Sequence, residues 1–302
     1  MDVELQAKNK IATDIKNLEK YNYSCSQVEK KQYNFETTVK QANQKIKVLV
    51  YFGKKGIKTI FQGNAESVLF KEVYEIVTGN YSLEFKTEDL EYTNYIGTDE
   101  TGKGDYFGPL VVCAMYVNEE AIKELNKIGV KDSKELSDLQ INKIALIMKK
   151  DFPNYFKIIL IAPQKYNELY KSFQNVNKLL NWAHSKVIEE LLLTIKTETV
   201  ITDQFSKTDL KISDNKNFSH ISFIQMPKAE KHPGVAAASI LARNAMNNWF
   251  TKKEHEGLKL PKGASSQVKE AAKILYKKYG IDELNNLVKL HFKTTKQIVN
   301  EI

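Results

Sequence analysis

The chain has 302 residues, 42% of them hydrophobic, and a formal net charge of +8. It is long enough for two domains with a packed core. No apolar run approaches the roughly 20 residues of a membrane-spanning helix. Two distant cysteines, Cys25 and Cys113, give no disulfide framework and no zinc ligand set, so any metal should be held by oxygen. With a charged N-terminus that resembles no signal peptide, the expected location is cytoplasmic, with no membrane partner.

In chain order, apolar spacing predicts an amphipathic helix over Asp2–Lys20. Strands are expected at Gln32–Val39, Lys45–Phe52 and Ile57–Gln62, the last two joined by the turn Gly53-Lys54-Lys55-Gly56. A helix follows at Ala65–Val77. This N-terminal α+β unit, 1–80, carries much of the basic charge: from Met1 to Lys58 there are 12 Lys against six acids. Between Thr37 and Ala65 there are six Lys and no acid, with Tyr51, Phe52 and Phe61 interleaved, a composition suited to a polyanion through phosphate neutralisation. Residues 81–93 are acidic and aperiodic and read as a linker.

The second domain, 94–302, opens with paired strands at Tyr95–Thr98 and Leu110–Val117. Helices are expected at Glu119–Lys127 and Ser137–Lys150, a buried strand at Tyr155–Ile161, and a long helix at Asn177–Ile195. Strands at Thr199–Thr202 and Ile221–Gln225 complete the sheet. A helix over His232–Lys253 opens with the small residues Val235-Ala236-Ala237-Ala238-Ser239, which permit close backbone packing, and another at Gln267–Tyr279 stops at Gly280. The alternation gives an α/β fold, a mixed sheet flanked by helices.

The most informative stretch runs from Gly97 to Tyr106, Gly-Thr-Asp-Glu-Thr-Gly-Lys-Gly-Asp-Tyr. Gly97, Gly102 and Lys103 match most of a nucleotide-binding P-loop, but Gly104 stands where a hydroxyl should meet Mg²⁺. Asp99 and Glu100 would also crowd the phosphate cradle, and no helix follows. The carboxylates fit another chemistry. Asp99 and Glu100 end one strand, Asp203 ends another, and Glu230 precedes the Ala-rich helix, the places where open α/β sheets keep their sites. Four clustered acids repel unless cations lie between them, which points to divalent metal and metal-assisted phosphodiester hydrolysis. Adjacent residues on a regular strand face opposite ways, so Asp99 and Glu100 both reach metal only if the strand ends or bulges there. His184 reads as helix packing, His232 as close enough to Glu230 to assist it, and Arg243 as one arm of a structural ion pair.

The run Gly97–Leu110 resembles the opening signature of ribonuclease HIII, in the type 2 ribonuclease H group. In the same order follow Asp132-Ser133-Lys134, Thr202-Asp203-Gln204-Phe205, Ala229-Glu230 with the Ala-rich run to Arg243, Leu260–Ala264 and Lys289–Phe292. The resemblance implies a ribonuclease H-like mixed sheet and an N-terminal domain similar to the TATA-box-binding fold. It also implies hydrolysis of the RNA strand of RNA/DNA hybrids with two Mg²⁺ or Mn²⁺ ions on Asp99, Glu100, Asp203 and Glu230, with no obligate protein partner evident. Main-chain groups of Thr101, Gly102, Lys103 and Gly104 would approach the ribose, where the 2′-hydroxyl marks RNA. Lys103 and Lys134 would contact phosphates, and Lys45, Lys47, Lys54, Lys55 and Lys58 would grip the hybrid from the first domain. The ribonuclease HII family has Gly-Arg-Gly where this chain has Gly102-Lys103-Gly104, which favours HIII over cleavage at single embedded ribonucleotides. A non-catalytic nucleic-acid-binding protein would account for the basic first domain but not for four acids that repel phosphate. A P-loop-like nucleotidase is opposed by Gly104.

Overall fold

A computed structural model describes residues 3–41, 44–53, 56–65, 67–79, 91–203 and 218–301. The chain divides into two compact units, Met1–Glu84 and Phe85–Ile302. In the first, helices α1 (Val3–Lys20) and α2 (Val68–Thr78) pack on one face of an antiparallel sheet. The sheet comprises β1 (Ser24–Cys25), β2 (Glu29–Lys30), β3 (Asn34–Gln41), β4 (Gln44–Gly53) and β5 (Gly56–Gln62). Val39, Ile46 and Val48 meet Leu18 of α1 and Leu69 and Val73 of α2, while Phe35 and Val50 meet Ala7 and Ile11 of α1. The period of two therefore sends the alternate positions of β4 and β5 to the face without helices. Ser67 caps α2 by accepting from Phe70 N–H, and Gly79 ends it in the left-handed region, a glycine stop. The expected turn residues Lys54 and Lys55 lie outside the described residues, as do residues 81–90 of the linker and Gln204 and Phe205.

The second unit is built on a five-stranded mixed sheet of order β10-β9-β6-β7-β8. Strands β6 (Tyr95–Thr101), β7 (Leu110–Val117) and β8 (Phe156–Ile161) are antiparallel neighbours, while β9 (Thr199–Asp203) and β10 (Ser222–Met226) run parallel to β6. One face is covered by α3 (Glu119–Lys127), α4 (Asp138–Asp151) and α7 (Pro233–His255), the other chiefly by α6 (Val176–Leu192). Ser137 and Gln140 form a capping box that starts α4.

Three expectations change. The run Tyr155–Ile161 reads as a buried strand, yet among the described residues β8 is a sheet edge and Leu160 is exposed. Helix α5 (Pro163–Phe173) adds to the expected elements, with Tyr166, Leu169, Tyr170 and Phe173 in an i, i+3, i+4, i+7 pattern. Gly280 breaks α8 (Ser266–Leu287) as a stop should, but helix resumes beyond it and α9 (Lys293–Asn300) follows.

The small-residue start of α7 works through one close approach. A Cβ on Gly97 would lie 2.3 Å from both Gly234 C and Val235 N. The helix N-terminus is thus seated on the backbone of β6, and Gly234 N–H donates to Tyr95 Oη at 2.9 Å. Pro233 occupies the first turn of α7, where a missing N–H costs nothing. Gly97→Ala should therefore lower stability by about 1–3 kcal/mol in urea unfolding, while Gly104→Ala, whose Cβ would meet nothing within 4 Å, should stay within about 0.5 kcal/mol of the parent.

Candidate functional site

The site is organised by the C-terminal ends of β6 and β9. Thr98 pairs with Thr202 across these parallel strands, so Asp99 and Asp203 occupy equivalent next positions, about 4.8 Å apart along the hydrogen-bonding direction. Both belong to the parity that faces α7, as Tyr95 and Ile201 do. Glu230 sits in the 3₁₀ turn Ala229–Lys231 that feeds α7, and Ala229 N–H donates to Asp203 Oδ1 at 3.3 Å. Strand register and one helix entrance thus bring Asp99, Asp203 and Glu230 to a single side of the sheet.

Glu100 does not join them there. The pairing of β6 with β7 continues through Glu100 and Thr101 without a bulge, so Glu100 shares the face of Ile96 and Thr98, toward α6. Its Oε2 lies 3.1 Å from His184 Nε2, and His184 Nδ1 lies 2.9 Å from Thr98 Oγ1. The strand neither ends nor bulges between the two acids, and His184, expected to serve helix packing, holds a carboxylate of the site. Among the described residues no three His, Cys, Asp or Glu side chains form a ready ligand cluster. Each acid instead has a partner from the protein.

Those partners set the electrostatics. Burial pushes the Asp99 carboxyl up to about 7, reinforced by the charges of Glu100 and Asp203 and opposed by a hydrogen bond from Ser239. Burial also works against ionised Glu100, but the hydrogen bond and charge of His184, with Lys103 beyond, hold that carboxyl below its ordinary range. Glu230 is likewise lowered against its burial, by a main-chain hydrogen bond and by Lys134, whose Nζ lies 3.2 Å from Oε1. A half-buried acid that protonates near neutrality beside two others is a site a cation would relieve. The donor set is hard oxygen, which suits Mg²⁺ or Mn²⁺.

Around these acids the Asp132-Ser133-Lys134 turn is locked in place. Asp132 accepts from Lys134 N–H at 2.9 Å, and Ser133 Oγ lies 2.9 Å from Ser239 Oγ. Arg243 donates to Ser133 O and pairs with Asp138 at 3.1 Å. The expected ion pair of Arg243 is present, with the added role of shaping this turn. His232 packs against Tyr92 and Tyr95, and its Nε2 lies 3.2 Å from Met226 Sδ rather than against Glu230.

The Gly102–Gly108 loop is fixed from behind. Gly102 has φ +89°, and a Cβ there would lie 2.1 Å from Pro109 O. Tyr106 N–H donates to Gly263 O, and Gly263 N–H donates to Asp105 Oδ1. The fully buried Lys289 donates to Asp105 O at 2.9 Å and Gly108 O at 2.7 Å. Sequence reasoning missed Lys289, His184 and Ser239; the only signal was their place inside the quoted motifs or on the apolar face of a helix.

In the first unit, Lys45, Lys47 and Lys58 are exposed. Lys45 and Lys47 alternate with the core residues Ile46 and Val48, and Lys58 pairs with Tyr51 on the same helix-free face. Lys47 also meets Glu36 at 3.0 Å.

Comparisons with known proteins agree with this architecture. The Ribonuclease HII family model matches residues 96–295. Ribonuclease HIII of Protochlamydia amoebophila is 38% identical over 251 residues, covering 81% of this chain and 82% of that protein. Ribonuclease HIII of Enterococcus faecalis is 34% identical over 295 residues, covering 89% and 96%. The crystal structure of Bst-RNase HIII in complex with Mn²⁺ superposes with a TM-score of 0.63 at 30% identity, covering 88% of each chain.

If burial and like charge raise the Asp99 carboxyl, the sign for stability follows. The unfolded chain ionises near 3.8 and the folded chain near 7, so stability falls as pH rises through that window, and the full loss is present above it. In metal-free buffer Asp99→Asn should therefore raise the midpoint of thermal unfolding at pH 8, by at least about 1 kcal/mol of stability, with the gain shrinking toward pH 4.

Proposed function

The chain belongs to the ribonuclease HIII family of the type 2 ribonuclease H group, and we propose that it acts through the acids at the ends of β6 and β9. It is an endoribonuclease that hydrolyses the RNA strand of RNA/DNA hybrids, using Mg²⁺ or Mn²⁺. The products are 5′-phosphate and 3′-hydroxyl ends. It works in the cytoplasm and requires no obligate protein partner. The observation that carries the site assignment is the pairing of Thr98 with Thr202, which sets Asp99 beside Asp203.

Asp99, Asp203 and Glu230 would hold the cations from the α7 side of the sheet, and Glu100 would complete the set from the strand end. Bound, such ions supply a Lewis acid for the scissile phosphate and lower the pKa of the attacking water. The chain's own residues do the positioning. Lys134, tethered to Glu230, exchanges that carboxylate for a substrate phosphate, and Lys103 makes a second phosphate contact; neither reads sequence. Main-chain groups of Thr101–Gly104 approach the ribose and sense its 2′-hydroxyl. Lys45, Lys47 and Lys58, with Lys54 and Lys55 of the same segment, grip the hybrid backbone from the first unit, so affinity should fall steeply with salt.

Gly104 supports the ribose contact. Its backbone is exposed and the fold makes no demand on its side-chain space, so its smallness answers to something arriving from outside. Gly104→Ala should leave unfolding unchanged while raising KM for hybrid several-fold, measured by steady-state cleavage.

The central test is an end-labelled RNA/DNA hybrid incubated with and without Mg²⁺ or Mn²⁺. Metal-dependent cleavage at many internal sites is expected, and hybrid binding without cleavage under any metal would leave only a nucleic-acid-binding protein. Asp99→Asn should reduce turnover by about 10³-fold or more while retaining hybrid affinity; an active Asn variant would remove Asp99 from the metal site. A duplex with one embedded ribonucleotide should be a poor substrate, whereas efficient cleavage at that junction would indicate ribonuclease HII-like specificity.

A further inference from the structure

We propose that His184 is a positioning residue for the reaction: its imidazole, braced by Thr98, fixes the Glu100 carboxylate at the end of β6 for cation binding. This rests on the reading of Glu100 as a metal ligand. His184 is fully buried on α6 among Leu180, Val187 and Ile188, where an aliphatic side chain would pack as well. Its two ring nitrogens instead meet two residues of one strand, Thr98 at 2.9 Å and Glu100 at 3.1 Å. Those residues are two apart on β6 and so share a face, which lets one imidazole span both.

The proton placement follows from the partners. An ionised carboxylate only accepts, so Nε2 carries the hydrogen and donates to Glu100 Oε2. On its other side Nδ1 lies 2.9 Å from the Thr98 hydroxyl, which is completely buried on a β-branched side chain with few rotamers. Thr98 thereby braces the ring on one side while Nε2 holds one oxygen of Glu100 on the other. A glutamate facing away from Asp99 on a straight strand has several rotatable bonds with which to miss the site, and His184 removes that freedom. Partners of this kind orient ligands, and their loss typically costs about 10–100-fold in metal affinity or activity.

The test compares the parent with His184→Leu, His184→Gln and Thr98→Val in two measurements. Mn²⁺ binding is followed by calorimetry without nucleic acid, and hybrid cleavage is resolved into kcat and KM across Mn²⁺ concentration. His184→Leu should weaken Mn²⁺ binding and lower kcat at limiting Mn²⁺ by about 10–100-fold, with KM for hybrid within about twofold of the parent. His184→Gln, which keeps an N–H donor, should recover most of the loss, and Thr98→Val should show a smaller loss in the same direction. The proposal fails if His184→Leu binds Mn²⁺ like the parent. It fails equally if the Leu and Gln variants lose binding only in proportion to a drop in urea stability. Should His184→Leu not fold, Thr98→Val decides alone: parent-like Mn²⁺ binding there overturns the proposal. A parent protein that itself neither bound Mn²⁺ nor cleaved hybrid would sink the functional reading beneath it, a result distinct from any pattern among the variants.

Discussion

Half-buried negative charge at the ends of two adjacent parallel strands is the constraint to which the second unit is fitted. A carboxylate taken out of water without a partner costs several kcal/mol, against a net stability of about 5–15 kcal/mol for a whole domain. Asp99, Asp203, Glu100 and Glu230 could not all be left bare. The fold supplies one donor to each: Ser239 to Asp99, Ala229 N–H to Asp203, His184 to Glu100 and Lys134 to Glu230. These donors come from α7, the turn before it, α6 and the Asp132-Ser133-Lys134 turn. Moving any one of these elements therefore changes the charge balance of the site.

The donors are themselves tied down. Ser239 touches Ser133, whose carbonyl accepts from Arg243, and Arg243 is held by Asp138. Asp138 also accepts from Lys262, in the segment that fixes the Gly102–Gly108 loop through Gly263. A continuous path of hydrogen bonds thus runs from the acid at the centre of the sheet to the loop assigned to the ribose. This is the arrangement expected of a site whose parts must keep their spacing to a fraction of an ångström.

Much of this was legible in the chain and some was not, for separable reasons. The strand–strand–helix order and the positions of Asp99, Asp203 and Glu230 at strand ends and a helix start follow from local periodicity and punctuation. The Gly280 stop and the small-residue helix do too. The edge position of β8 was hidden, because an apolar run looks the same whether one neighbour pairs with it or two. The role of His184 was hidden because it depends on which strand face α6 covers, a tertiary fact that no spacing within the helix encodes. Lys289 was hidden for a similar reason: a lysine in a C-terminal motif reads as surface charge until the carbonyls of Asp105 and Gly108 are seen to surround it. Burial pushes that amine down to about 7, far from what a solvated lysine would show.

The straightness of β6 gives the adjacent acids their meaning. Because the strand stays paired through Thr101, an Asp-Glu pair necessarily straddles the sheet, with Asp99 turned to the α7 layer and Glu100 to the α6 layer. A single helical layer could organise only one of them. Covering both faces lets each layer contribute its own donor, so the sheet end becomes a shared boundary rather than the floor of a one-sided cleft. The same geometry explains why Asp99 is the acid whose charge is most penalised. It is flanked both by its chain neighbour Glu100 and by its cross-strand neighbour Asp203, and a hydroxyl from Ser239 offsets less charge than the imidazole of His184 or the ammonium of Lys134 provides. The position most costly to ionise in the protein alone is therefore the one at which a divalent cation would gain the most.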